Sequence, residues 1–141
     1  PYGNPVEGLN PLKLYLTLGI SFIASGLSSK VKDLSQLMVN AMNHQGFSVV
    51  HVQSPCTTYH NTYEQLKGNL RKGIDPLAWP ISDDHDSTDL KSANEIVDTP
   101  GIPLGVIYRD EGRPTFDMAV HDMASQGKKK SFQSIIDGYT V

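Results

Sequence analysis

The sequence predicts an α/β fold with a mostly parallel sheet, followed by an irregular carboxyl-terminal tail. Residues 10–53 alternate between helical and strand patterns, which is the repeating unit of an open α/β sheet. The run FSVVHVQ (47–53) carries apolar residues on both faces, as strands do when helices cover both sides of a parallel sheet. The length, 141 residues, is that of one domain.

The first helix and strand are located by their boundary residues. Asn10 can cap a helix that begins with Pro11, a favoured first position for proline, and ends at Gly19. The apolar segment ISFIAS (20–25) lies between Gly19 and Gly26 and predicts a strand. These signals give the opening helix–strand unit.

The second helix is predicted from an apolar stripe. Ser28 or Ser29 is expected to cap it, and Gly46 is expected to close it in a left-handed conformation. Apolar residues recur at helical spacing: Val31, Leu34, Leu37, Met38, Ala41 and Met42. The strand 47–53 follows directly.

The pattern loosens after residue 53. A helix is predicted over 62–71, and a polar proline-containing linker over 74–89. A second helix should run from Asp86 or Ser87 to Val97, followed by a strand over 103–111. A helix over 114–124 would bring Phe116, Val120 and Met123 together, and a last short helix or turn follows it. This second half has less core per residue than the first.

Composition excludes several functional classes. A net charge of −3 provides no basic field for nucleic acid, and no apolar run approaches the ~20 residues of a membrane span. One cysteine excludes an internal disulfide framework and suits a reducing compartment such as the cytoplasm. The first residue is Pro1, so we expect a piece of a longer chain.

The single cysteine, Cys56, lies in SPCTTYHNTYEQ, just past the strand 47–53. Ligands in open α/β sheets bind beyond the carboxyl ends of strands, which is where this thiol is placed. Three roles are open for it. It can fill space in the core, act as a nucleophile with His51 or His60 as base, or donate a thiolate to a metal centre completed from elsewhere.

Other candidates have structural explanations that compete with a functional one. In DDHD (83–86) adjacent carboxylates diverge, which favours a surface loop over a metal site. His51 is expected to be a hydrogen-bonded core histidine, and Trp79 to anchor the linker to the main body or to a partner. Asn61 and Thr62 precede a helix and favour capping.

Four segments resemble the later part of the beta subunit of 2-oxoacid:ferredoxin oxidoreductases. They are PYGNPVEGLNPLKLYLTLGISFIASG (1–26), GFSVVHVQSPCTTYHNTYEQLK (46–67), HDSTDLKSANEI (85–96) and IPLGVIYRDEGRPTF (102–116). The most specific element is SPC after a V-x-V strand, followed by Thr and then N-T-Y. The NPL helix and SPCTTY are most similar to enzymes that act on 2-oxoglutarate.

The resemblance implies an activity and a set of cofactors. Such enzymes oxidatively decarboxylate a 2-oxoacid with coenzyme A and pass electrons to ferredoxin, and they are assemblies of alpha and beta subunits. The beta subunit binds thiamine diphosphate with Mg²⁺ and a [4Fe–4S] cluster. By resemblance, Cys56 is a cluster ligand, and Tyr2, Gly3 and Asn4 lie near the thiamine cofactor. Ser54, Thr57 and Thr58 are candidate hydrogen-bond donors to cluster sulfurs, and the alternative for them is a role in the turn or in helix capping.

The departures from the family are also informative. The C-x-x-C pair, a further cysteine and the Gly-Asp-Gly…Asn signature are not in this chain, and we expect them upstream. Residues 1–75 are then the carboxyl-terminal half of a thiamine diphosphate-binding domain, and 76–141 the tail region. We expect the sheet to expose an edge that the missing half pairs. The alternatives are a non-catalytic α/β subunit-interaction module and a cysteine-dependent hydrolase.

Overall fold

The computed structural model describes residues 5–6, 8–127 and 131–139. Tyr2, Gly3 and Asn4, predicted to lie near a thiamine cofactor, are outside the described residues. The elements are α1 (Pro11–Thr17), β1 (Phe22–Leu27), α2 (Val31–Asn43), β2 (Ser48–Gln53), α3 (Tyr63–Lys67), β3 (Ala78–Pro80), α4 (Leu90–Asp98), β4 (Ile102–Arg109), α5 (Phe116–Gln126) and α6 (Phe132–Asp137), with a 3₁₀ turn at Leu70–Lys72. The predicted α/β character is confirmed.

The strands form one sheet in the order β2-β1-β4-β3. β1 runs parallel to β2 and β3 parallel to β4, whereas β1 and β4 are antiparallel. The sheet is therefore mostly parallel, as predicted. The linker predicted over 74–89 is wrong in part, because Ala78 to Pro80 pair with β4. Strands from before and after residue 75 thus share one sheet.

β1 is the centre of the structure, and every one of its residues is buried. On one face, Ile23 packs in a cluster with Leu16 of α1 and Val97 of α4. On the other face, Phe22 packs with Leu37 of α2. Helices therefore cover both sides of the sheet, which explains why the strand sequence is apolar on both faces.

Asn10 caps α1 as predicted, because its Oδ1 accepts hydrogen bonds from the backbone N–H of Leu12 (3.0 Å) and Lys13 (3.3 Å). Its amide also donates to the Val97 carbonyl at 3.1 Å, which ties α1 to α4. The predicted cap of α4 was wrong, since Asp89 supplies it rather than Asp86 or Ser87.

Both predicted caps of α2 were wrong. Its N-cap is Lys30, which makes no side-chain capping bond, while the Ser28 hydroxyl lies 3.2 Å from the Tyr63 hydroxyl. At the other end the cap residue His44 is extended, and Gly46 has φ +150°, outside the left-handed helical region. The helix ends where the backbone of His44 becomes extended, and a bend over 44–46 leads to β2.

The predicted helix over 62–71 is interrupted. α3 ends at Lys67, and Gly68 has φ +74° before the 3₁₀ turn begins. Further on, α5 brings Phe116, Val120 and Met123 onto one face as predicted, but neither α5 nor α6 has a buried residue. No helix in the described part of the chain combines the length and apolar composition that a membrane span needs.

Candidate functional site

Cys56 lies in a tight exposed turn beyond the carboxyl end of β2. The backbone N–H of His60 donates to the Cys56 carbonyl at 3.0 Å, and the two residues form an antiparallel bridge. The thiol is on the surface, so the core-filling role left open by the sequence is wrong. An exposed thiol at a strand end is accessible to a metal or a partner.

The turn also favours the thiolate. The backbone N–H groups of Tyr59 and Thr58, with a smaller contribution from His60, lower the pKa of the Cys56 thiol below its ordinary value. Partial desolvation acts in the opposite direction but does not outweigh them. Hydrogen bonds to a charged group stabilise it, and the thiolate is the form of cysteine that binds metal.

The turn is held at both ends by the sheet and α3. The backbone N–H of Ser28, after β1, donates to the Gln53 carbonyl at 3.0 Å. Ser28 also contacts the Tyr63 hydroxyl, and Asn61 Oδ1 accepts from the Tyr63 N–H at 3.1 Å. Asn61 therefore binds the first backbone N–H of α3, whereas the capping predicted for Thr62 is wrong in part, because Thr62 occupies the N-cap position but makes no side-chain capping bond. Leu66 of α3 is buried against Leu27 and Ala78, which fixes the helix that follows the turn.

The described residues supply one metal ligand at this site, not a complete set. No group of three or more His, Cys, Asp or Glu side chains there could hold a metal ion. The donor that is present fits an iron–sulfur cluster, because cysteine thiolates are the usual ligands of such clusters and the Cys56 sulfur is accessible. A cluster bound here would need its other cysteine ligands from outside this chain, which has no further cysteine.

The histidines do not form a catalytic pair with Cys56. His51 instead lies with its Nδ1 3.4 Å from the Tyr15 hydroxyl, and burial lowers its pKa. No hydrogen bond joins the Cys56 thiol to a histidine side chain in the described ranges. A cysteine hydrolase needs such a base, so this geometry does not support one.

His85 holds the acidic segment 83–86 in place through two side-chain hydrogen bonds. His85 Nε2–H donates to the Ile107 carbonyl and its Nδ1 accepts from the Ser92 hydroxyl, both at 2.9 Å. Asp86 accepts hydrogen bonds from Thr88. The imidazole therefore attaches this loop to β4 and α4. Trp79 has a similar role, because its Nε1 donates to the Pro100 carbonyl at 3.0 Å.

Sequence reasoning missed the backbone donors around Cys56. The backbone N–H groups of three successive residues lower the thiol pKa, and the sequence does not reveal which way these N–H groups point. The turn composition of CTTYHN is the available signal, since Thr and Asn favour turns.

Comparison with known proteins finds similarity to the family that the sequence resembles. Residues 56–125 match the family model for the carboxyl-terminal region of the pyruvate ferredoxin oxidoreductase beta chain. The beta subunit of 2-oxoacid:ferredoxin oxidoreductase 1 from Aeropyrum pernix is 32% identical over 124 residues, covering 83% of this chain and 39% of that protein. The 2-oxoglutarate synthase subunit KorB from Archaeoglobus fulgidus is 31% identical over 77 residues, covering 51% of this chain and 29% of that protein.

A solved structure extends the similarity to the whole fold. The 2-oxoglutarate:ferredoxin oxidoreductase from Magnetococcus marinus, with 2-oxoglutarate, coenzyme A and succinyl-CoA bound, matches with a TM-score of 0.77 and 31% identity. The match covers 100% of this chain and 48% of that one. The homologues of this chain are thus beta subunits of 2-oxoacid:ferredoxin oxidoreductases. The chain spans less than half the length of these relatives.

Proposed function

We propose that this chain is part of the beta subunit of a 2-oxoacid:ferredoxin oxidoreductase and supplies Cys56 as a ligand of a [4Fe–4S] cluster. The overall reaction consumes a 2-oxoacid, coenzyme A and two oxidised ferredoxins. It yields acyl-CoA, CO₂, two reduced ferredoxins and a proton. Thiamine diphosphate and Mg²⁺ belong to the same enzyme, with their binding signature outside this chain. An alpha subunit and ferredoxin are the expected protein partners.

The observation that carries the proposal is the turn at Cys56. Its thiol is exposed beyond the carboxyl end of β2, and the pKa of this thiol is lowered by backbone N–H groups. When bound, the cluster would act as a one-electron acceptor and donor on the path to ferredoxin. Cys56 would hold one iron, and the adjacent N–H groups would offset negative charge on its sulfur.

The hydroxyls of Ser54, Thr57 and Thr58 can serve the same cluster. All three residues are exposed, and their hydroxyls make no hydrogen bond within the part of the chain that the structure describes. They are therefore available to donate to cluster sulfurs, and such bonds raise a cluster's reduction potential.

We propose 2-oxoglutarate as the substrate. Two relatives support it, namely the Archaeoglobus synthase subunit and the Magnetococcus enzyme, which carries 2-oxoglutarate and succinyl-CoA in its structure. Assays of the intact enzyme with 2-oxoglutarate and pyruvate would test this choice through CoA-dependent reduction of ferredoxin. A higher kcat/KM with pyruvate would reject it while leaving the family proposal intact.

The decisive experiment is metal analysis of the intact enzyme with Cys56→Ala. We expect iron and acid-labile sulfide to fall to the level of the cluster-free protein. The matched control is Tyr59→Phe in the same turn, which keeps the thiol and the backbone N–H groups around it and should retain iron. Full iron and sulfide in Cys56→Ala would reject Cys56 as a ligand. Intact protein that binds neither iron nor thiamine diphosphate would favour the non-catalytic interaction module.

A further inference from the structure

Four cationic side chains make no ion pair within the described residues, and all of them are exposed. They are Lys30, Lys32, Lys67 and Arg71. The other described lysines and arginines each have an acidic partner, as Lys91 has in Glu95 at 3.8 Å. A cation without an internal partner is available to a molecule of opposite charge.

Two of these cations lie at the edge of the sheet where Cys56 lies. Lys30 and Lys32 are at the start of α2, directly after β1, and Cys56 follows β2. Because β1 and β2 are parallel, both strands end at the same edge. The Ser28 N–H donates to the Gln53 carbonyl at 3.0 Å, which joins the two strand ends.

α3 and the 3₁₀ turn after it carry the other two cations. The Lys67 Nζ lies 5.4 Å from the centre of the Tyr63 ring, and the Tyr63 hydroxyl lies 3.2 Å from the Ser28 hydroxyl. Arg71 is fixed in the 3₁₀ turn, because its N–H donates to Asn69 Oδ1 at 3.1 Å. The four unpaired cations therefore form one cationic surface beside the Cys56 turn.

Acidic side chains are concentrated elsewhere in the chain. Between residues 56 and 73 the sequence has one, Glu64, and Lys72 pairs with it at 2.8 Å. Between residues 75 and 98 it has seven. The net charge of −3 thus conceals a local excess of positive charge around Cys56, which attracts an acidic partner.

Two large apolar side chains are exposed on the same surface. Tyr59, in the Cys56 turn, is 90% exposed, and Leu70, in the 3₁₀ turn, is 89% exposed. Neither contributes to the core, so their exposure is not explained by folding. Protein interfaces combine aromatic and apolar contacts with a polar, charged rim, which is the composition found here.

We propose that the cationic surface docks an acidic face of the ferredoxin that takes electrons from the cluster at Cys56, with Tyr59 and Leu70 in the contact. This inference rests on the proposed function, which supplies both the cluster and the ferredoxin. Electron transfer slows steeply with distance, so the acceptor must dock close to the cluster. Ferredoxin must also leave after reduction, and attraction between opposite charges suits such a rapid, transient encounter.

Charge reversal in the intact enzyme tests the docking surface. Arg71→Glu reverses one of the unpaired cations, whereas Lys91→Glu makes the same change of charge on α4, outside the surface. At low ionic strength we expect Arg71→Glu to lower kcat/KM for ferredoxin by about 5- to 10-fold, and Lys91→Glu by less than about 2-fold. The difference should disappear near 1 M salt, where the Debye length falls to ~3 Å.

Leu70→Ala tests the apolar part of the contact. We expect it to lower kcat/KM for ferredoxin by about 2- to 3-fold at low and at high salt alike, because the loss of apolar contact is not screened by ions. Ferredoxin kinetics unchanged by Leu70→Ala would remove this residue from the contact and overturn that part of the inference.

Three further readouts separate docking from other roles. Arg71→Glu should retain iron, reduce a small uncharged quinone acceptor at the unchanged rate, and keep the KM for coenzyme A. Equal ferredoxin kinetics in Arg71→Glu and Lys91→Glu would overturn the inference while the proposed function stands. A raised KM for coenzyme A with unchanged ferredoxin kinetics would also overturn it, because the surface would then bind the phosphates of the coenzyme. If the unmodified enzyme reduces neither acceptor with a 2-oxoacid, the proposed function is rejected, and the docking inference with it.

Discussion

Replacing Leu66 by alanine should weaken the packing of α3, the helix that supports the Cys56 turn. Leu66 is 5% exposed and is the buried residue of α3, where it packs with Leu27 and Ala78. The substitution removes three buried carbons, each worth ~0.8 kcal/mol, and therefore about 2.5 kcal/mol of transfer free energy. The remaining cavity raises the expected cost to about 3–4 kcal/mol.

The matched control is Leu70→Ala in the following 3₁₀ turn. Leu70 is 89% exposed, so its truncation should change the free energy of unfolding by less than about 0.5 kcal/mol. Denaturant unfolding of the intact subunit measures the global loss. Hydrogen exchange at Leu66, whose N–H donates to the Thr62 carbonyl at 2.9 Å, measures local opening of α3. If both variants lose equal stability and exchange alike, the packing argument is wrong.

Two further predictions concern the backbone and pH. Gly101→Ala should destabilise the subunit by more than ~3 kcal/mol in denaturant unfolding, because φ is +100° and an added Cβ would lie 2.6 Å from the Leu77 carbonyl oxygen. Gly73→Ala, at φ +67° in open space, should cost only about 1 kcal/mol, and equal losses would contradict this account. Burial lowers the pKa of His51, so the unfolded state binds its proton more readily and stability should fall as pH decreases below about 6.5. The unfolding midpoint of His51→Gln should depend less on pH there, and an unchanged slope would exclude this contribution.

The sequence predicted the helix–strand order well where local signals agree. Asn10 before Pro11 marked the start of α1, and the apolar stripe of α2 ended close to its observed limit. These features depend on neighbouring residues, since capping and periodic burial act within a few turns of chain. The position of Cys56 just beyond β2 was also predictable, because it follows from the end of an apolar run.

The weaker predictions failed where distant contacts decided the structure. Ser28 is a reasonable helix cap by composition, yet its hydroxyl contacts Tyr63 and its backbone binds the Gln53 carbonyl. β3 was hidden in a polar segment, because only pairing with β4 makes three residues a strand. Local propensity is a weak prior in such places, and tertiary contacts override it.

The sequence by itself determined the α/β class, the order of its main elements and the presence of one thiol at a strand end. The tertiary structure decided that β4 joins β1 antiparallel, that the thiol is exposed, and that three backbone N–H groups lower its pKa. The physical reason is the separation along the chain between the residues that interact. Side-chain patterns record interactions between near neighbours, whereas strand order and backbone dipoles depend on how distant segments meet.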